Sequence, residues 1–120
     1  MAHPAYVDAL IPATAQDTVY TEAFSVGWPE ASHRVLRSAV EAAQAFPGDI
    51  VGEGVNRSTG ERYPKARFAV GTVDKSMTGA IEAMALWAGE SVGGVKLVQR
   101  AADIVRELAG GAEALLRRWT

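Results

Sequence analysis

The residues with the most chemical potential lie in FSVGWPEASHRVLR, positions 24–37. This stretch carries an acid at Glu30, a histidine at His33 and arginines at Arg34 and Arg37. A histidine with an orienting carboxylate nearby is the minimum for general base catalysis. No Ser, Cys or Lys nucleophile pattern accompanies it, so local hydrogen bonding at a helix start is the ordinary role for His33. The only other histidine, His3, stands at no metal-ligand spacing from it, and the pair does not read as a zinc site. Arg34 and Arg37 present the planar donors that clamp a phosphate or carboxylate. Intramolecular or solvated ion pairs are the commoner use of such residues. Trp28, between Gly27 and Pro29, reads as a packed corner rather than a stacking platform.

Two glycine-bearing stretches also invite a chemical reading. GEGVNRSTG, positions 52–60, lacks the GxxxxGK[ST] pattern of a phosphate loop and no clear strand and helix flank it, which makes it a surface loop. WAGESVGG, positions 87–94, is richer. Gly89, Gly93 and Gly94 let a backbone come close to a neighbour, which suits a ligand and a helix crossing equally.

Positioning falls to three amphipathic segments. From Val98 to Trp119, apolar residues recur at 98, 101, 102, 105, 108, 109, 112, 115, 116 and 119, the spacing of one helical face. Gly110-Gly111 weakens its middle by about 1 kcal/mol per glycine relative to alanine. A second helix is predicted over Arg34–Phe46, with Val35, Leu36, Ala39, Val40, Ala43 and Phe46 inward, Ser32 as N-cap and Pro47-Gly48 as the stop. A third is predicted over Ala80–Ala88, capped by Thr78, with Ile81, Met84 and Ala85 inward. Tyr6, Ala9 and Leu10 suggest a short opening helix that Pro12 ends, and Asp17–Phe24 has extended character. Residues 47–79 are rich in Gly, Pro, Ser and Thr and read as one long irregular loop with short strands at Ile50-Val51 and Arg67–Val70. These helical faces have little sheet to lie against.

Composition bounds the answer. One hundred and twenty residues make one domain, and 48% hydrophobic with 22% charged residues is the balance of a folded chain. A net charge of −2 offers no general attraction to nucleic acid or anionic lipid. No apolar run approaches a membrane span, and the N-terminus lacks a secretory signal. A cytoplasmic setting is the expectation. The absence of cysteine removes disulfides, thiolate nucleophiles and Cys-based zinc sites.

Four collinear segments add a family resemblance. HPAY (3–6), DTVYTEAFSVGWPEASHRVLR (17–37), MTGAIEAMALWAGESVG (77–93) and AADIVREL (101–108) resemble the C-terminal third of nitronate monooxygenases, formerly 2-nitropropane dioxygenases. Residues 47–75 are the least similar. The resemblance implies an α/β fold, the C-terminal part of an FMN-binding (β/α)8 barrel, mostly helical with a long irregular loop and short strands. It implies oxidation of alkyl nitronates to carbonyl compound and nitrite, with FMN as cofactor. It places the phosphate loops and the catalytic histidine upstream of this segment, so His33 is scaffold and no residue here is catalytic or a metal ligand. Gly89, Glu90 and Ser91 become the candidates for contact with FMN, although relatives carry glutamine where this chain has Glu90. The expected partner is the remainder of the barrel, with a small-molecule nitronate at family level and neither nucleic acid nor membrane. The alternative is a stand-alone helical binding protein that buries its stripes by self-association.

Overall fold

The computed structural model describes residues 1–120. The first helix, α1 (Pro4–Leu10), has proline at its first position and His3 as N-cap, whose Nδ1 accepts from the Ala5 N–H. Proline there sacrifices only a donor that the helix end leaves unpaired anyway. A single turn at Ala15–Asp17, closed by a reciprocal Thr14–Asp17 capping box, leads into β1 (Thr18–Thr21). That strand pairs antiparallel with β2 (His33–Leu36), in a register running from Thr18↔Leu36 to Thr21↔His33. β2 continues directly into α2 (Arg37–Ala45).

A second sheet holds β3 (Ile50–Val55), β4 (Arg62–Ala66) and β5 (Thr78–Gly79) in the order β4-β3-β5, all antiparallel. Asn56 sets the β3–β4 turn, its Oδ1 accepting from the Ser58 and Thr59 N–H groups. β4 is an edge strand, which is why Pro64 is tolerated in its middle. Gly52 and Gly79 meet back to back: a Cβ on Gly79 would lie 2.5 Å from the Gly52 Cα. The core between the two sheets and α2 is built from Phe24, Val35, Leu36, Ala39, Ala43, Val51, Val73, Met77, Ile81, Met84 and Leu86, with smaller alanines between them.

The chain is a mixed α/β arrangement and not a barrel segment. A (β/α)8 barrel needs parallel strands joined by helical crossovers of a dozen or more residues. Here the β1–β2 and β3–β4 connections are non-helical and return each strand antiparallel to its predecessor. Residues 47–79 are likewise no irregular loop, because they contain all three strands of the second sheet. β3 buries only Val51 and Gly54, and β4 only Lys65, so neither strand shows the two-residue alternation that marks a strand in a sequence. Arg67–Phe68, expected to be extended, form a turn.

Two of the predicted helices also shift. Residues 33–36 are strand, so α2 begins three residues after the predicted start at Arg34, and Leu36 rather than Ser32 occupies the cap without a side-chain hydrogen bond. Residues 80–88 hold only a single turn at Ile81–Ala83. Ile81, Ala83, Met84, Ala85, Leu86 and Ala88 are all buried, and a segment enclosed on every side gains nothing from a one-faced helix. Its 86–88 portion instead runs beside β2: Leu36 N–H donates to Leu86 O at 2.9 Å, and Ala88 N–H donates to Arg34 O at 3.2 Å.

The last helix, α3 (Ala101–Arg117), is continuous through Gly110-Gly111 and buries no residue. Every residue from Gly94 to Thr120 is exposed. The radius of gyration, 17.1 Å, exceeds the roughly 13–14 Å of a compact chain of this length, because α3 stands off the body. No helix is long and apolar enough to cross a membrane.

Candidate functional site

His33 is buried, and both ring nitrogens are occupied. The Phe24 N–H donates to Nε2 at 3.4 Å, which leaves Nδ1 carrying the proton it donates to Ala31 O at 2.9 Å. The ring packs edge-on against Trp87 at 5.0 Å between centroids, with Phe24 and Phe68 completing the cluster. Glu30 makes neither an ion pair nor a hydrogen bond with it. A general base needs a free nitrogen facing a reactant, and His33 has none. Its work is to tie the 22–32 loop to the core.

Arg34, next on β2, is equally committed. Its guanidinium donates to Thr18 Oγ1 at 3.1 Å, pairs with Glu90 at 3.3 Å and stands over the Tyr20 ring at 5.7 Å. Arg37 donates to the carbonyls of Gln16 and Thr18, at 2.7 and 3.2 Å. Neither arginine is a vacant anion clamp. Trp28, expected as a packed corner, is 55% exposed.

The segment Gly89–Glu90–Ser91 lies at this corner. Residues Glu90–Gly94 form a short 3-10 turn anchored by buried Val92, with Glu90 directed to Arg34. A Cβ at Gly93 or Gly94 would meet nothing within 4 Å, and one at Gly89 only Ser91 Oγ at 3.9 Å, so these glycines shape no close approach within the chain. Neither of the two surface clefts is lined by Gly89, Glu90 or Ser91. A carboxylate such as that of Glu90 repels a phosphate rather than binding it.

The feature with the largest unmet demand is α3. Leu97 and Val98 in its approach, Ile104, Val105, Leu108, Leu115 and Leu116 along its length and Trp119 just past its end are 42–87% exposed. Together they present on the order of the ~800 Å² that one partner brings to a standard interface. From Ile104 to Ala109 the apolar arc spans about 140° at ~100° per residue. Asp103–Arg106 and Glu113–Arg117 ion pairs occupy the opposite side. A cleft of about 460 Å³ opens between the 94–99 linker and the first turns of α3, lined by Val95, Leu97, Ile104 and Leu108 among others.

One residue that no sequence signal marked is Lys65 on β4. It is 5% exposed, with no ion pair or hydrogen bond to its amine, and burial pulls that amine below the ordinary lysine range while the Asp74 carboxylate pulls it back. Asp74 itself is held below the ordinary carboxylate range, first by the Ser76 hydroxyl, then by the Ser76 N–H, with Arg57 contributing. The D-x-S spacing at 74–76 is the only hint of this turn in the sequence.

No protein-family model matches the chain, and searches of curated proteins and of solved structures find no match.

Proposed function

We propose that this chain is a covering segment of an FMN-dependent enzyme of the nitronate monooxygenase type, which docks on the flavin-bearing body through α3 and does no chemistry by itself. The single observation that carries the reading is the α3 face, amphipathic over 17 residues and buried at none of them. The four segments resembling the C-terminal third of that family supply the partner's identity. The chain contributes no barrel staves, and the proposal requires none of it. It requires a surface that another apolar surface completes.

The width of the apolar arc supports a broad partner. A two-stranded coiled coil uses a narrow seam flanked by charges, but Ala102, Ile104, Ala109, Gly111 and Leu116 stand where those flanking charges would be. Ala109, Gly111 and Ala112 put small side chains in the middle of the apolar side, over which a partner backbone can come close. Catalysis by the assembled enzyme, oxidation of an alkyl nitronate to carbonyl compound and nitrite, belongs to the body that holds FMN. The setting is cytoplasmic.

One observation favours a second reading. Ala101, Val105, Leu108, Ala112, Leu115 and Trp119 follow an alternating four-three spacing, the register of helices that pair with their own kind. Self-association through α3 would then be the function.

The first experiment is the visible absorbance of the purified chain with and without added FMN, with its mass by light scattering. The expected result is no bound flavin, and a one-to-one complex when an FMN-bearing nitronate monooxygenase body lacking this segment is added, with nitrite release from propyl-2-nitronate restored. Stoichiometric flavin on the chain alone would overturn the non-catalytic role. A discrete dimer indifferent to the flavoprotein body would replace the first reading with the second.

A further inference from the structure

The two ends of the α3 face differ in shape. At the start, the cleft of about 460 Å³ between the linker and the helix has apolar walls at Val95, Leu97, Ile104 and Leu108. Gln99 and Glu107 also line it, and the Gln99 amide donates to Glu107 Oε2 at 3.0 Å. At the far end Trp119 is 87% exposed. An indole suits an apolar slot with an acceptor at its rim for the ring N–H. The cleft supplies the slot, and the Glu107 carboxylate and Gln99 carbonyl supply the acceptors. Trp119 stands roughly 20 Å further along the same helix, at about 1.5 Å per residue, so it cannot reach the cleft of its own chain.

We propose that α3 pairs antiparallel with α3 of a second copy, each Trp119 filling the cleft of the other chain. The inference rests on the reading of α3 as a self-pairing face and states how that pairing is made. In an antiparallel pair with twofold symmetry, each border of the apolar face meets the same border of the other copy. Glu107 and Arg118 stand on one border, within about 20° of each other at ~100° per residue. None of the six ion pairs includes either. Ala109 and Leu116 stand on the opposite border, again within about 20°. Setting Glu107 against Arg118 of the second copy places the twofold axis between Ala112 and Glu113. The same axis sets small Ala109 against large Leu116, and Trp119 against the turn between Ile104 and Leu108. Charge, size and the fit of indole to cleft agree on one alignment.

Parallel pairing satisfies none of the three. It turns Glu107 toward the Ala109 border, faces Gly111 and Ala112 with their own copies, and leaves clefts and indoles at opposite ends. It also crowds two bodies together at one end of helices about 8–10 Å apart, although the chain measures 33 and 25 Å in its shorter dimensions. The antiparallel pair sends the bodies to opposite ends.

The chain holds no cysteine, so an introduced one reports on its own symmetry mate. Light scattering is expected to give a dimer for the parent chain. Ala112→Cys lies at the axis and is expected to form an intermolecular disulfide under mild oxidation. Val105→Cys lies on the same face but ~22 Å along the axis from its mate, beyond the reach of a disulfide, and is expected to stay reduced. A monomer at every concentration overturns the self-pairing reading together with this inference. A dimer in which Val105→Cys cross-links as readily as Ala112→Cys is parallel, and overturns the arrangement while self-pairing stands. Charge exchange reads the register. Glu107→Arg and Arg118→Glu are each expected to weaken the dimer roughly tenfold, and the two together to restore it. A double variant no tighter than the single ones overturns the register. Trp119→Ala is expected to weaken the dimer at least about tenfold, and an unchanged dissociation constant would remove the indole from the cleft and overturn the proposed fit.

Discussion

Residues 80–88 and 101–117 have similar sequences and opposite fates. Both are rich in alanine and long aliphatic side chains, and both read as amphipathic helix. The first becomes an enclosed strip, a single turn at Ile81–Ala83 and an extended run after it, with Ile81, Met84 and Leu86 in the core. The second keeps every turn of its helix and buries nothing. Local preference decides secondary structure where no partner is present, and tertiary enclosure overrides it where one is. Periodicity announces that a face wants covering, and it does not say whether this chain provides the cover.

The sharpest way to break this contrast is to cut equal amounts of apolar surface from each strip. Met84→Ala removes a side chain 1% exposed and is expected to cost about 2–5 kcal/mol, seen as a large fall in the urea midpoint. A loss below about 1 kcal/mol would mean that the strip is not enclosed. A smaller effect comes from ionisation. Lys65 has its amine pulled below the ordinary 10.5, so between that lowered value and 10.5 the unfolded chain binds more protons than the folded one. Stability contributed by this site rises with pH across that window. Asp74, held below the ordinary 3.8, contributes stability above that value that is lost as pH falls through the folded one. Thermal melts across pH are expected to show both slopes, the alkaline one absent from Lys65→Met and the acid one from Asp74→Asn. Tyr6, whose hydroxyl is pushed up from the ordinary 10.0 by burial, opposes Lys65 near that pH, and it cancels when Lys65→Met is compared with the parent chain. The smallest effect on the fold belongs to α3. Leu108→Ser with Leu115→Ser is expected to leave the unfolding of the body within about 0.5 kcal/mol and to abolish association with any partner in a mass measurement. A destabilised body would mean that α3 does pack at home.

Much of this was legible in the residues. The opening helix with its proline boundary, the extended run at 18–21, the apolar stripe of α2 and the helix at the C-terminus follow from period and cap chemistry. His33 as a locally bonded residue also follows, from the lack of a nucleophile nearby. Of the second sheet only the start of β3, at Ile50-Val51, was legible; the rest was not, because Gly52 and Gly79 mark a backbone crossing that only the folded chain assembles. Tyr63 covers Gly54 in a way spacing does not reveal. The Arg34–Glu90 pair joins residues that are adjacent only after 86–88 lies down beside β2. Lys65 carries no motif at all: a lysine between Pro64 and Ala66 looks like a solvated edge-strand charge, and only the folded chain encloses it, with its tip against Gly71.

Each region also happens to hold its own tryptophan. Trp87 sits in the aromatic cluster against His33, Trp28 is half out in the 22–32 loop, and Trp119 stands at the far end of α3, 87% exposed. The molecule is thus labelled by nature for optical work. With Trp28 replaced by phenylalanine, the red-edge emission reports α3 alone and the remaining band reports the core. A blue shift confined to the first signals that the helix has found its cover, read in real time and without a dye.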